Sequence, residues 1–253
     1  MQLSIITINY NNKKGLIKTI NSVSKQKNFS KHSYEFIVID GDSNDGSKYI
    51  IRKSKVISKY KMEKDRGIAD AFNKGINLSK GKYLYFLNSG DVFYSSNSLK
   101  KILSKIFNKD IYVYKIAITN NNGLILNIVG KKIDLLKQVK RNYLPHQGMI
   151  IKKKLFKVFG NYDITYELGM DYEWSTRLIK NYKTIQLEFS NDILSKMNNC
   201  GVSQKYFIKT FMAYHKARLK NNITNFFVSI SLSICFIFKR IIGECLRKIL
   251  KLI

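Results

Sequence analysis

FIVIDGDSNDGS, residues 36–47, is the stretch that decides how this chain folds. Four apolar residues run straight into Asp40, Asp42 and Asp45, which are spaced by Gly41, Ser43, Asn44 and Gly46. That is the signature of a buried strand ending in a polar loop. In open α/β sheets, ligands bind beyond the carboxyl ends of the strands. The pattern returns in YLYFLNSGD, residues 83–91, where an apolar run again leads to a carboxylate, Asp91. Two strand tips bearing carboxylates predict one site for a metal and a phosphorylated ligand.

Working outward, LSIITI at 3–8 reads as a first strand, Asn9 to Asn12 as a polar loop, and 14–26 as a helix with Leu16, Ile20 and Val23 on one face. A helix at 45–53 and a short strand at 55–60 follow the first tip. DRGIADAFNKGINLSKG, 65–81, places Ile68, Ala71, Phe72 and Ile76 on one side of a helix before the strand at 83–87. This alternation predicts the α/β class, with a Rossmann-like, mostly parallel central sheet flanked by helices. The second half is less regular. It predicts a helix at 98–107, strands at 111–118 and 124–129 around the NNG turn, and a helix at 132–140. The loop NYLPHQG, a turn at 160–163, a helix at 170–180 and a last strand at 183–188 complete the unit. Residues 1–204 are expected to form the catalytic domain and 205–253 a separate tail.

Composition narrows the classes. Of 253 residues, 45% are apolar, which excludes a disordered polycation. Lys and Arg number 45 against 17 acidic residues, a formal net charge of +28 that favours phosphorylated substrates or an acidic lipid surface. Nucleic acid is not expected as a partner, since no CCHH spacing, basic repeat or aromatic sheet signature supports it. Cys200, Cys235 and Cys245 form no CxxC motif and point to a reducing compartment. MQLSIITINY has no basic n-region or cleavage site and reads as a strand rather than a signal peptide. His32 and His215 lie in polar settings and imply no metal cluster.

The tail differs in kind. Residues 205–253 hold ten Lys or Arg and one acidic residue, Glu244, around FFVSISLSICFIF at 226–238. Thirteen helical residues span about 20 Å, short of the ~30 Å hydrocarbon core. An amphipathic helix held by basic residues to anionic lipid fits this pattern; a core or dimer helix and, last, a true span are the alternatives.

The candidate site residues carry paired readings. Asp40 either accepts from a ligand over the sheet edge or serves the turn; Asp45 stands where a helix cap belongs. Asp91 follows an apolar run and two small residues, in a place that suits Mg²⁺ or Mn²⁺ bound through one or two carboxylates and phosphate oxygens, and Asn88 offers a carbonyl oxygen or a hydrogen bond. The alternative for this segment is a structural turn. Asp65 and Arg66 precede a helix and either meet a ribose hydroxyl and a phosphate or form a surface ion pair. Asp171, at the start of a helix, is either a cap or a rigidly held general base, with Glu167 and Glu173 as competitors. His146 and Gln147 sit in a loop, where a histidine is less often buried than on a helix; they offer contacts to phosphate or acceptor, or none. No G-x-G-x-x-G or G-x-x-x-x-G-K-[ST] motif is present, which argues against a dehydrogenase and a P-loop kinase.

Taken in order, SIITINYN (4–11), FIVIDGDSNDGS (36–47), DRGIADAFNKGI (65–76), GKYLYFLNSGD (81–91), PHQG (145–148) and MDYEWSTRL (170–178) resemble the family 2 glycosyltransferases of GT-A fold, in particular their bacterial polysaccharide-synthesis branch. The resemblance covers about residues 2–204. It implies a nucleotide-diphosphosugar donor, commonly UDP-linked, a divalent cation (Mn²⁺ or Mg²⁺), and inverting transfer to a saccharide on a polyprenyl diphosphate. By similarity Thr7, Asp40 and Asp65 line the nucleoside site, Asp91 matches the metal carboxylate and Asp171 the base. Where the family often carries further aspartates, this chain has Asn88 and Gly90. A cytoplasmic enzyme peripheral on the inner membrane face is the expectation, with a nucleotidyltransferase or a non-catalytic carbohydrate- or membrane-binding module as the alternatives.

Overall fold

The computed structural model describes residues 2–26, 33–104, 108–199 and 201–249. His32, Cys200 and the last part of the helix expected at 98–107 lie outside these residues. The first half alternates as expected. It runs β1 (Leu3–Asn9), α1 (Lys13–Ser24), β2 (Tyr34–Asp40), α2 (Ser47–Lys53), β3 (Lys59–Met62), α3 (Ile68–Leu78) and β4 (Tyr83–Phe86). There follow β5 (Val92–Phe93), α4 (Ser98–Leu103), the hairpin β6 (Ile111–Thr119) and β7 (Ile125–Val129), then β8 (Met149–Lys152), α5 (Lys154–Phe159), α6 (Met170–Ile179) and β9 (Leu187–Asn198). The chain continues through α7 (Val202–Lys205), α8 (Phe207–Lys220) and α9 (Phe226–Ile249).

The sheet has the order β3-β2-β1-β4-β8-β6-β9-β5, with β7 on β6. Its first four strands pair in parallel. Beyond β4 the pairing is mixed, with β8 antiparallel to both β4 and β6, and β9 parallel to β6. The crossover through α3 carries the chain past β2 and β1 to β4, so the winding reverses between β1 and β4. The tips of those two strands flank the switch point, where a crevice opens in sheets of this kind.

Period-two alternation divides the strand residues between two cores. Ile6, Ile37, Ile39, Leu84 and Phe86 join the core under α3, α5 and α6. Leu3, Ile5, Phe36, Val38, Tyr83 and Tyr85 join the core under α1, α2 and α4. Successive side chains point to opposite faces, so a strand buried on both faces reads as one apolar run. That is why FIVI and YLYF gave the clearest signals.

The strand expected at 55–60 forms at Lys59–Met62, and two later elements differ further. The segment at 132–140 forms only a 3-10 turn, Leu135–Val139, capped by Asp134 Oδ1, which accepts from Leu136 N–H at 3.0 Å. The final strand starts at Leu187 and runs twelve residues. Its polar residues (Ser190, Asn191, Asp192) hid it, and register shifts against β6 accommodate them.

The apolar tail is longer than its thirteen-residue core implied. α9 runs 24 residues, about 36 Å at ~1.5 Å per residue, and its first 18 are long and apolar enough to cross a membrane. One side of it is polar and packed. Arg218 of α8, fully buried, donates from Nε to Ser229 Oγ (2.9 Å) and from Nη2 to Ser233 Oγ (2.6 Å). The other side leaves Phe227, Ile234, Phe238, Ile241 and Ile242 exposed.

Candidate active site

Parallel pairing sets the two carboxylate-bearing tips on either side of β1. Asn9, the last residue of β1, joins them: its Nδ2 donates to Asp40 Oδ2 (2.7 Å), and its Oδ1 accepts from Ser89 Oγ (2.7 Å). Asp40 is fully buried, and its oxygens also accept from the Ser43 N–H (2.8 Å) and Ser43 Oγ (2.8 Å). Thr7 lies beneath, fully buried, its hydroxyl donating to the Leu87 carbonyl. As the loops stand, neither Thr7 nor Asp40 has surface open to a ligand.

Asp45 works at two helix starts. Its Oδ2 accepts from Lys13 N–H (2.7 Å) and its Oδ1 from Ser47 N–H (3.0 Å). Asp65 Oδ1 accepts from Gly67 N–H (2.9 Å), and its other oxygen lies over Gly41, where a Cβ would collide with it. Gly41 is thus a close-approach position that lets the carboxylate sit across the β2 tip. Arg66 is 73% exposed and faces Asp70 at 3.7 Å, the surface ion pair foreseen as an alternative.

The second tip is built differently. Gly90 has φ of +104°, the region glycine adopts without steric cost. Its N–H donates to Thr19 Oγ1 (2.9 Å), which in turn donates to the Asp91 carbonyl (2.8 Å). Asn12 Nδ2 adds a bond to the Ser89 carbonyl (3.1 Å). These contacts fix the backbone of the loop, and Ser89 Oγ is taken by Asn9. Asp91 is 8% exposed, and burial pushes its carboxyl up to about 8, against one favourable backbone contact at Asn88. Asn88 Oδ1 is buried with no hydrogen-bond partner. A buried carboxylate without a counter-charge beside an orphaned amide oxygen is a donor set that suits a hard divalent cation. Among the described residues no group of three or more His, Cys, Asp or Glu is gathered, so the rest of such a shell falls to water and phosphate oxygens.

The β4 tip opens onto a cleft of about 610 Å³. Asn88, Asp91, His146, Gln147 and Asp171 all line it, whereas Thr7, Asp40, Asp65 and Arg66 do not. Asp171 stands in the first turn of α6, and its Oδ2 accepts from Asn142 Nδ2 at 2.7 Å. The competitor Glu173 is fully buried and engaged by Arg177 and Asn221 (3.1 Å), so it belongs to the core. Glu167 lines the cleft.

His146 departs from its loop-based expectation. It is 5% exposed, stacked on Phe86 (4.7 Å between centroids) and bonded through Nε2 to Tyr162 OH (2.8 Å). Burial lowers its pKa to about 4 against an opposing pull from Asp171, so the ring is neutral near pH 7. The short 3-10 turn His146–Gly148 folds it inward. His215, read as lying in a polar setting, is buried between α8 and α9 with its Nδ1 against Ser229 Oγ (2.8 Å).

Sequence reasoning missed Asn9, Thr19 and Asn142, which act on residues 80, 72 and 29 positions away. It also missed Lys14 and Lys18, which line the cleft from α1. Their i, i+4 spacing on one helix face was the available signal.

The comparisons identify the family and the fold. The model of the family described as Glycosyl transferase family 2 matches residues 4–161. An uncharacterized glycosyltransferase of Mycobacterium tuberculosis is 27% identical over 192 residues, covering 69% of this chain and 68% of that one. TarS of S. aureus superposes with a TM-score of 0.68 at 19% identity over 92% of this chain, which spans 42% of TarS. TarS 1–349, solved with UDP-GlcNAc, gives 0.66 at 19% identity over 94% of this chain and 72% of that one. The mannosyltransferase PcManGT of Pyrobaculum calidifontis, solved with GDP-Man and Mn²⁺, gives 0.65 at 13% identity over 88% and 65%.

Proposed function

The chain belongs to glycosyl transferase family 2, and on that premise we propose that it is an inverting enzyme of cell-surface polysaccharide synthesis. It moves a sugar from a UDP-sugar to a hydroxyl of a saccharide carried on a polyprenyl diphosphate. The observation that carries this reading is that Asp91 and Asp171 line one cleft, the first without a counter-charge and the second oriented by Asn142. The UDP-GlcNAc bound to TarS supports the donor class.

Asp171 takes the proton of the acceptor hydroxyl as that oxygen attacks the anomeric carbon. Asn142 holds Oδ2, so Oδ1 receives the proton. A single displacement from the face opposite the diphosphate needs one base and inverts the anomeric centre. Asp91 and Asn88 would hold Mn²⁺ or Mg²⁺, which when bound neutralises charge on the diphosphate. Lys14 and Lys18 place two more positive charges at the wall of the cleft. Asp65, seated over Gly41, and Arg66 meet the nucleoside side, while Thr7 and Asp40 hold the loops beneath. His146 and Gln147 form the floor toward the acceptor, the imidazole acting as a neutral group.

The tail fits the inner membrane face. The exposed row Phe227, Ile234, Phe238 and Ile241 lies on the lipid while Ser229 and Ser233 stay clamped to Arg218. Phe227→Ser/Phe238→Ser should move the protein from the membrane to the soluble fraction; unchanged fractionation rules the contact out.

A donor screen tests the whole reading. Release of nucleoside diphosphate is followed for a panel of UDP- and GDP-sugars with lipid-linked acceptors, with and without Mn²⁺. UDP release that needs both acceptor and metal is expected. Release that is indifferent to acceptor would show hydrolysis and end the proposal.

A further inference from the structure

A second cleft of about 930 Å³ adjoins the first. Arg141, Lys205, Lys239 and Arg240 line it together with Phe211 and Phe236, and no acidic side chain is among its lining residues. Arg141 lies over the Phe236 ring at 5.5 Å, and Lys239 lies 5.9 Å from the same ring. Arg240 donates to Gln204 Oε1 (2.8 Å), and Gln204 lines both clefts. A small cavity of about 190 Å³, bordered by Arg141, Asn142, Gln204 and Arg240, shares lining residues with both. Asn142 orients Asp171, so its neighbour Arg141 puts a positive charge one residue along the chain from the base's own hydrogen-bond partner. On its far side the cleft is walled by α9, whose outer face is the exposed apolar row.

We propose that this basic cleft is an acceptor subsite that binds the diphosphate joining the growing saccharide to its lipid. The inference rests on the acceptor class proposed above and adds the residues that read it. The order of features matches the order of groups in such a molecule. The reacting hydroxyl lies at Asp171, the diphosphate among four cations, and the hydrocarbon along α9. Diffuse surface lysines would attract any anion, but two guanidinium and two ammonium groups around one concavity favour a doubly charged group, and Arg presents paired donors to phosphate oxygens. The adjacent Phe211 and Phe236 give the first apolar carbons of the lipid a surface to meet.

The test uses the full chain saturated with UDP, so that the donor site is filled. Farnesyl diphosphate, farnesol and inorganic pyrophosphate are titrated by calorimetry. Farnesyl diphosphate should bind at least tenfold more tightly than either of the others. The Lys205→Gln/Lys239→Gln variant, altered at two exposed positions, should weaken it at least tenfold while UDP affinity stays within twofold. Equal binding of farnesol, or a variant within twofold of the parent, would overturn the subsite. Pyrophosphate binding as tightly as farnesyl diphosphate would assign the cleft to a soluble anion, and full competition by phosphatidylglycerol vesicles would assign it to bulk lipid; either result also overturns the proposal. A chain that fails to bind UDP breaks the donor reading instead, and the same titrations on the UDP-free chain still decide the cleft.

Discussion

Asp40 and Asp91 end the two apolar strand runs of this chain, on neighbouring parts of one sheet edge, and their surroundings are opposite. Asp40 accepts from an amide, a hydroxyl and a backbone N–H, all supplied by Asn9 and Ser43. Asp91 is nearly as deeply buried, yet its loop spends its hydrogen bonds on backbone groups and leaves the carboxylate without a cation. A carboxylate that builds a loop is satisfied by the loop. One left uncompensated in a cleft costs stability until a ligand supplies the missing charge.

A third carboxylate, held on one oxygen only, gives the largest expected effect. Asp171→Asn should lower kcat by roughly 100- to 10,000-fold, the scale of a general base, with donor binding intact; a kcat within tenfold of the parent would return Asp171 to a capping role. Asp91→Asn should abolish the metal dependence of transfer and weaken donor binding together, by about 100-fold or more in kcat/KM. The same change should stabilise the metal-free protein at high pH. The folded pKa of about 8 lies above the ordinary 3.8, so the native state keeps a proton that the unfolded chain has released. Stability from this group therefore falls as pH rises from about 4 through about 8. Denaturant midpoints of the two proteins measured across that range should diverge, and parallel curves would remove the contrast with Asp40.

Asp40→Ala should act through folding. It removes the buried acceptor of the Asn9 amide and of the Ser43 N–H and hydroxyl, a loss of about 2 kcal/mol in unfolding free energy, and a chain as stable as the parent would show that Asp40 does not build the loop. The smallest effect belongs to Gly41→Ala. The added Cβ pushes Asp65 off the β2 tip, which should raise the donor KM several-fold with kcat kept. An unchanged KM would remove Asp65 from the nucleoside side of the site.

The parallel half of the fold was legible because FIVI and YLYF are buried on both faces and bounded by turn residues. β9 was not, since its polar middle hides the strand until β6 pairs with it. In the site, the strand-tip aspartates could be named from their position after apolar runs. Which of them is saturated could not, because Asn9 and Asp40 lie 31 residues apart and Asn142 and Asp171 lie 29 apart. His146 carried only the signal of its loop, and the aromatic packing that neutralises it comes from Phe72, Phe86 and Tyr162.

By itself the sequence determined the winding of strands and helices, the tips where chemistry would sit, and the family to which those tips are similar, since periodicity and turn chemistry are properties of neighbouring residues. The tertiary structure alone decided which carboxylate is satisfied by its loop and which is not, that Asp171 has an amide to orient it, and that four cations from distant segments share one hollow. Burial and pairing depend on contacts between segments far apart in the chain, and such contacts exist only once the chain has folded.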